Sequence, residues 1–105
     1  MSEFMMTYVT CSSKDEAEKI LRTLLEERLV ACGNISSPVT SYYHWKGAIE
    51  SSEEVVLILK TKTALFRQVE ERIAALHSYE VPCILGFEIN QIHESYKRWM
   101  EEEVS

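Results

Sequence analysis

Cys32-Gly33-Asn34-Ile35-Ser36-Ser37-Pro38-Val39-Thr40-Ser41-Tyr42-Tyr43-His44-Trp45 alternates along its length. Val39, Ser41, Tyr43 and Trp45 fall on one side, and Thr40, Tyr42 and His44 on the other. Period-two patterning of this kind marks a strand, and Pro38 bends it because proline has no N–H for the ladder. Lys46-Gly47 supplies a tight turn, and Glu54-Val55-Val56-Leu57-Ile58-Leu59-Lys60-Thr61-Lys62 returns as the partner strand. Its unbroken apolar centre suits a strand buried on both faces. A dozen residues at about 3.3 Å each form an arm of roughly 40 Å, against a radius of gyration of about 13 Å for a compact domain of this length. Such an arm overshoots its own core. Tyr42, Tyr43 and Trp45 in its outer half leave apolar area and strand edges to be covered, most simply by sister subunits in a closed ring.

The flanking elements complete a repeat. Phe4 to Cys11 reads as a strand. Ser13 with Glu16 three residues later forms a capping box, opening a helix that carries Ala17, Ile20, Leu21, Leu24 and Leu25 on one face and ends near Leu29. A second helix spans Thr63 to Leu76, with Phe66, Val69, Ile73 and Leu76 at helical spacing. Cys83 to Ile89 forms a fourth strand, and Ile92, Tyr96, Trp99 and Met100 stripe a final helix. The order βαββαβ plus one helix is the α+β, ferredoxin-like split βαβ arrangement. Right-handed crossovers give an antiparallel sheet of order 4-1-3-2. The first strand's end, the second helix's end and the fourth strand's start then share one edge. Cys11, His77, Glu80 and Cys83 are expected to gather there.

Composition narrows the function. The 105 residues suit one domain, 1–105, with no Gly/Pro/Ser-rich linker. Eleven Lys+Arg against seventeen Asp+Glu leave a net charge of −6, without the basic footprint that nucleic-acid binding requires. No apolar run reaches membrane-spanning length and no leader pattern is present, so a cytoplasmic protein is expected. Cys11, Cys32 and Cys83 are odd in number and lack a C-x-x-C pair, which argues for reduced thiols over a disulfide framework.

Leu29-Val30-Ala31-Cys32-Gly33-Asn34-Ile35, Tyr43-His44-Trp45-Lys46-Gly47, Ile58-Leu59-Lys60-Thr61 and Leu76-His77-Ser78-Tyr79-Glu80-Val81-Pro82, in this order and spacing, resemble the CutA divalent-cation-tolerance family from Val9 through Trp99. The resemblance implies a ferredoxin-like homotrimer, architecturally similar to PII-like signalling proteins, with a role in copper and divalent-cation tolerance, and it brings no established enzyme activity, so no enzyme is expected. It also implies metal ligands at Cys11 and at His77 of the H-x-Y-E-x-P segment. This chain departs from the pattern nearby: Ser78 stands where the family usually has proline, Leu76 where some members have a second histidine, and Cys83 where an acidic residue commonly follows.

The residues themselves allow plainer readings. A thiolate and an imidazole suit copper or zinc rather than magnesium, and no organic cofactor is indicated. Cys11 is equally a small apolar residue at a strand end, and His77 a helix C-terminal residue favoured by the dipole. Glu80 is a third ligand or a turn carboxylate, and Cys83 a candidate substitute for the absent histidine. Tyr42, Tyr43, Trp45, Lys60 and Tyr79 are assigned to an intersubunit cleft, with Lys60 equally able to snorkel at a strand end. His44 and His93 read as surface residues. The leading function is a trimeric metal-binding or regulatory module. Its rivals are an enzyme with Cys11 as nucleophile and His77 as base, and an anchor for another protein.

Overall fold

The long strand of the hairpin organises everything else. In the computed structural model, which describes residues 2–105, the elements are β1 (Phe4–Cys11), α1 (Lys14–Glu26), β2 (Cys32–Ile35), β3 (Val39–Trp45), β4 (Ala48–Lys62), a 3-10 turn (Thr63–Leu65) leading into α2 (Phe66–Leu76), β5 (Ile84–Ile89) and α3 (Glu94–Glu103). β4 pairs antiparallel with β1, β2 and β3, and the main sheet runs β2-β4-β1-β5. With β2 and β3 taken as one interrupted strand, this is the 4-1-3-2 order expected from the sequence.

The expected four strands are five, and Pro38 is the reason. Ile35 pairs with Leu57 and Val39 with Glu54, so three residues of the first strand oppose two of β4. That is a bulge of one residue, where a strand without a donor is tolerated. Ser36 repairs the ladder: its N–H donates to the Val56 carbonyl at 2.9 Å and its hydroxyl accepts from the Val56 N–H at 2.8 Å. The free arm is therefore shorter than the sequence suggested. It comprises Val39–Trp45 against Ala48–Glu54, about 23 Å at 3.3 Å per residue. Within the described residues β3 pairs with β4 alone, and the arm stretches the molecule to 45 × 26 × 24 Å with a radius of gyration of 14.3 Å. At its tip Lys46 and Gly47 both have positive φ, 49° and 83°, as a two-residue turn matched to strand twist requires.

One face of the sheet is covered by α1 and α2. Val9, Cys11, Leu57 and Leu59 meet Ala17, Ile20, Leu24, Val69 and Ile73 in a core of buried side chains. Gly33 lets α1 approach: a Cβ there would lie 2.5 Å from the Leu21 Cδ1. Ser13 caps α1 by accepting from the Glu16 N–H at 3.1 Å. The helix stops at Glu26, short of Leu29, because Arg28 turns left-handed (φ 60°) and the Leu29 N–H reaches back to the Leu24 carbonyl. On the opposite face α3 covers only one end, closing Phe4, Met100 and Val104 into a second cluster. The rest of that face is open. Cross-strand pairing aligns Met6 with Phe87 and Lys60, and Tyr8 with Leu85 and Ile58, and Leu85 and Phe87 are 48% and 52% exposed. The sequence assigned the exposed apolar surface to the hairpin aromatics alone; this sheet face is a second share of it.

Candidate metal centre

β1 ends at Cys11, and the chain turns through Ser12 and Ser13 into α1, whose first turn swings Glu16 back toward the strand end. α2 arrives from the other direction and stops at His77. Cys11 Sγ, a Glu16 carboxylate oxygen and a His77 ring nitrogen lie within 4.8 Å of one another. Two of these three residues, Cys11 and His77, were anticipated. The carboxylate is Glu16 rather than Glu80, because Glu80 is exposed and lines a neighbouring groove instead. Cys83 lies beside Thr10 and lines the same groove, apart from this cluster, with burial raising its thiol pKa. The signal for Glu16 was present in Ser13-x-x-Glu16, but a capping carboxylate ordinarily bonds the N-cap amide. Here it bonds one residue earlier, to the Ser12 N–H at 2.9 Å and the Ser12 hydroxyl at 3.0 Å, and its other oxygen accepts from the Ser78 N–H at 2.8 Å.

The imidazole and the carboxylate of the cluster are both hydrogen-bonded. His77 Nε2 faces the Thr10 carbonyl at 2.8 Å and Nδ1 accepts from the Tyr79 N–H at 3.1 Å, which assigns the proton to Nε2. Partial burial pushes the Glu16 carboxyl up, but the bonds from Ser78 and Ser12 outweigh it and bring it from 4.5 down to about 2. Burial, then the Glu16 and Glu54 carboxylates, push the Cys11 thiol from 9.0 up to about 12, and its side chain has no exposed surface. Thiolate, imidazole and carboxylate fit a borderline cation by type. Bonds of about 2.0–2.3 Å set donors roughly 3.3–3.8 Å apart, so the cluster must contract modestly to hold one ion.

The groove beside it has a volume of about 510 Å³ and is walled by Tyr42, Tyr43, Trp45 and Tyr79, with Glu50 and Glu54 among its carboxylates. The expected cleft residues thus come together, apart from Lys60. That residue lies at the other end of the open face, where it donates to Asn34 Oδ1 at 3.2 Å and sits 5.8 Å from the Tyr96 ring centroid. Cys32 meets the Tyr96 hydroxyl there at 3.2 Å. His44 lines the groove, and His93 precedes α3.

Residues 5–103 match the family model described as CutA1 divalent ion tolerance protein. A divalent-cation tolerance protein CutA of Pyrococcus horikoshii is 40% identical over 99 residues, covering 94% of this chain and 96% of that protein. The structure of the periplasmic divalent cation tolerance protein CutA from Archaeoglobus fulgidus is 37% identical and superposes with a TM-score of 0.94 over 97% of this chain and 99% of that one. The divalent cation tolerance protein of Thermus thermophilus superposes equally well, at 0.94 with 36% identity and coverage of 97% and 99%. A match over nearly the full length, in sequence and in backbone fold, means that this chain belongs to the CutA divalent-cation-tolerance family.

Proposed function

We propose that the protein is a trimeric, cation-responsive module of divalent-cation tolerance that takes copper, or less tightly zinc, at Cys11, Glu16 and His77. The observation that carries this reading is the convergence of three chemically suitable donors, from β1, α1 and the end of α2, within 4.8 Å. Copper stands above zinc in the general affinity order for such ligands. A bound cation supplies the positive charge that makes a thiolate of Cys11 favourable despite its burial.

The hydrogen bonds around the donors give the site a means of response. His77 presents its lone-pair nitrogen Nδ1 only by releasing the Tyr79 N–H, and the same Tyr79 donates its hydroxyl to Glu54 at 2.7 Å on the groove wall. Occupancy of the cluster and the position of Tyr79 are therefore linked. Trimer formation is supported by the projecting arm and by the half-exposed Leu85 and Phe87 on the open sheet face. Three free cysteines suit a reducing compartment such as the cytosol. Cys11 suits an enzyme nucleophile poorly, because a buried thiol held near 12 has almost no thiolate at neutral pH.

Anomalous scattering from copper-soaked crystals tests the location: the reading expects a peak between Cys11 and His77, and a peak confined to surface histidines such as His44 overturns it. Light scattering tests the assembly, with about three times 12.2 kDa expected.

A further inference from the structure

Glu54 has 6% of its surface exposed. Its one hydrogen-bond donor among the described residues is the neutral Tyr79 hydroxyl, at 2.7 Å on Oε2. No Lys, Arg or His nitrogen among the described residues forms an ion pair with it. A buried carboxylate is ordinarily matched by a counter-charge, since leaving it alone forfeits most of its solvation. His44, the one basic side chain lining the groove, makes no ion pair with Glu54, and Lys14, which borders Glu54 on its other side, pairs with Glu18 instead. The groove that Glu54 floors also carries Glu50 and Glu80, no Lys or Arg lines it, and its walls are the rings of Tyr43, Trp45 and Tyr79. Tyr43 is held in place by donating to Ser52 Oγ at 3.2 Å. Lys46 lies 5.7 Å from the Trp45 ring centroid but is not among the groove's lining residues.

We infer that this groove binds an organic monocation, a protonated amine with an alkyl body. The ammonium would meet the free Oε1 of Glu54, and the aromatic walls would enclose the alkyl chain. Aromatic faces attract cations most strongly when desolvated, and several rings around a carboxylate select an alkylammonium over a neutral alcohol of the same shape. A volume of about 510 Å³ is in the range of small-molecule sites, which run roughly 300–1,000 Å³. It far exceeds what a bare inorganic ion fills.

The test is ligand-observed saturation-transfer NMR on the full-length protein in its native assembly, with n-butylammonium chloride as probe and n-butanol as its neutral counterpart. Saturable binding of n-butylammonium is expected, with n-butanol at least tenfold weaker. Glu54→Gln is expected to lower the amine's affinity at least tenfold and leave n-butanol unchanged. Glu50→Gln, at an exposed position on the arm, is expected to weaken the amine by a smaller factor. Equal binding of amine and alcohol overturns the inference. So does displacement of the amine by millimolar magnesium, which would make the groove an inorganic-cation site. Absence of saturable binding in the assembled protein also overturns it, because a neighbouring subunit would then fill the groove.

Discussion

β4 is one continuous strand with two characters. From Glu54 to Leu57 it is buried without interruption, pairing with β1 from Val55 onward and with β2 from Leu57, and it is covered by helices on one side. From Ala48 to Glu53 it has one partner, β3, and is mostly exposed. The inner half is hydrogen-bonded to strands on both sides at Leu57 to Lys60 and the outer half to β3 alone, and their side chains meet correspondingly different surroundings. The inner half carries the stability, and the cluster at Cys11 sits against it through the Cys11–Val55 pair. The outer half carries surface for association and binding. Polar groups follow the same division: Glu16 is saturated with donors, whereas Glu54, at the junction, is buried with one.

Substitutions along the strand should therefore differ sharply. Leu57→Ala removes a side chain with no exposed surface from the core and is expected to cost about 2–5 kcal/mol in urea unfolding. Trp45→Ala on the arm is expected to act on assembly instead, weakening it by about 2 kcal/mol or more, since aromatic anchors dominate interfaces. Sedimentation across a concentration series would read that loss, and an unchanged trimer would assign association to the open sheet face alone. Next comes Glu16→Gln. The Glu16 carboxyl is depressed from 4.5 to about 2, so its contribution is complete above 4.5 and disappears as pH falls toward 2. The shift bounds that contribution at roughly 3 kcal/mol, and partial solvent exposure reduces it to about 1–2 kcal/mol. The variant should lose this at pH 7 and match the parent near pH 2. The smallest effect is expected at Ile49, 73% exposed on the arm, where Ile49→Thr should change the unfolding free energy by less than about 0.5 kcal/mol.

The strand order was legible because each segment's periodicity and length stood out locally, and crossover handedness did the rest. The bulge at Pro38 was visible as a bend, but its consequence, a shorter arm and a fifth strand, needed the register on both sides. Cys11 and His77 could be placed at one edge from topology. Glu16 could not, because its role depends on Ser78 folding back onto α1, a contact between residues 62 apart. The open sheet face was equally hidden. Tyr8, Leu85 and Ile58 become a patch only once three strands are aligned, whereas Tyr42, Tyr43 and Trp45 announce themselves within four residues.

The most direct measurement is isothermal titration of copper into the wild-type protein and the Cys11→Ser/His77→Ala double variant at neutral pH, repeated in buffers of different ionisation enthalpy. If the cluster opens to hold a cation, wild type should bind with one site per chain and release protons, because the Cys11 thiol starts protonated. Each ligand lost should lower affinity by at least roughly 10- to 100-fold, since even supporting residues of metal sites carry that much. Unchanged affinity and stoichiometry in the double variant, with no buffer-dependent proton release, would contradict a metal site at Cys11, Glu16 and His77.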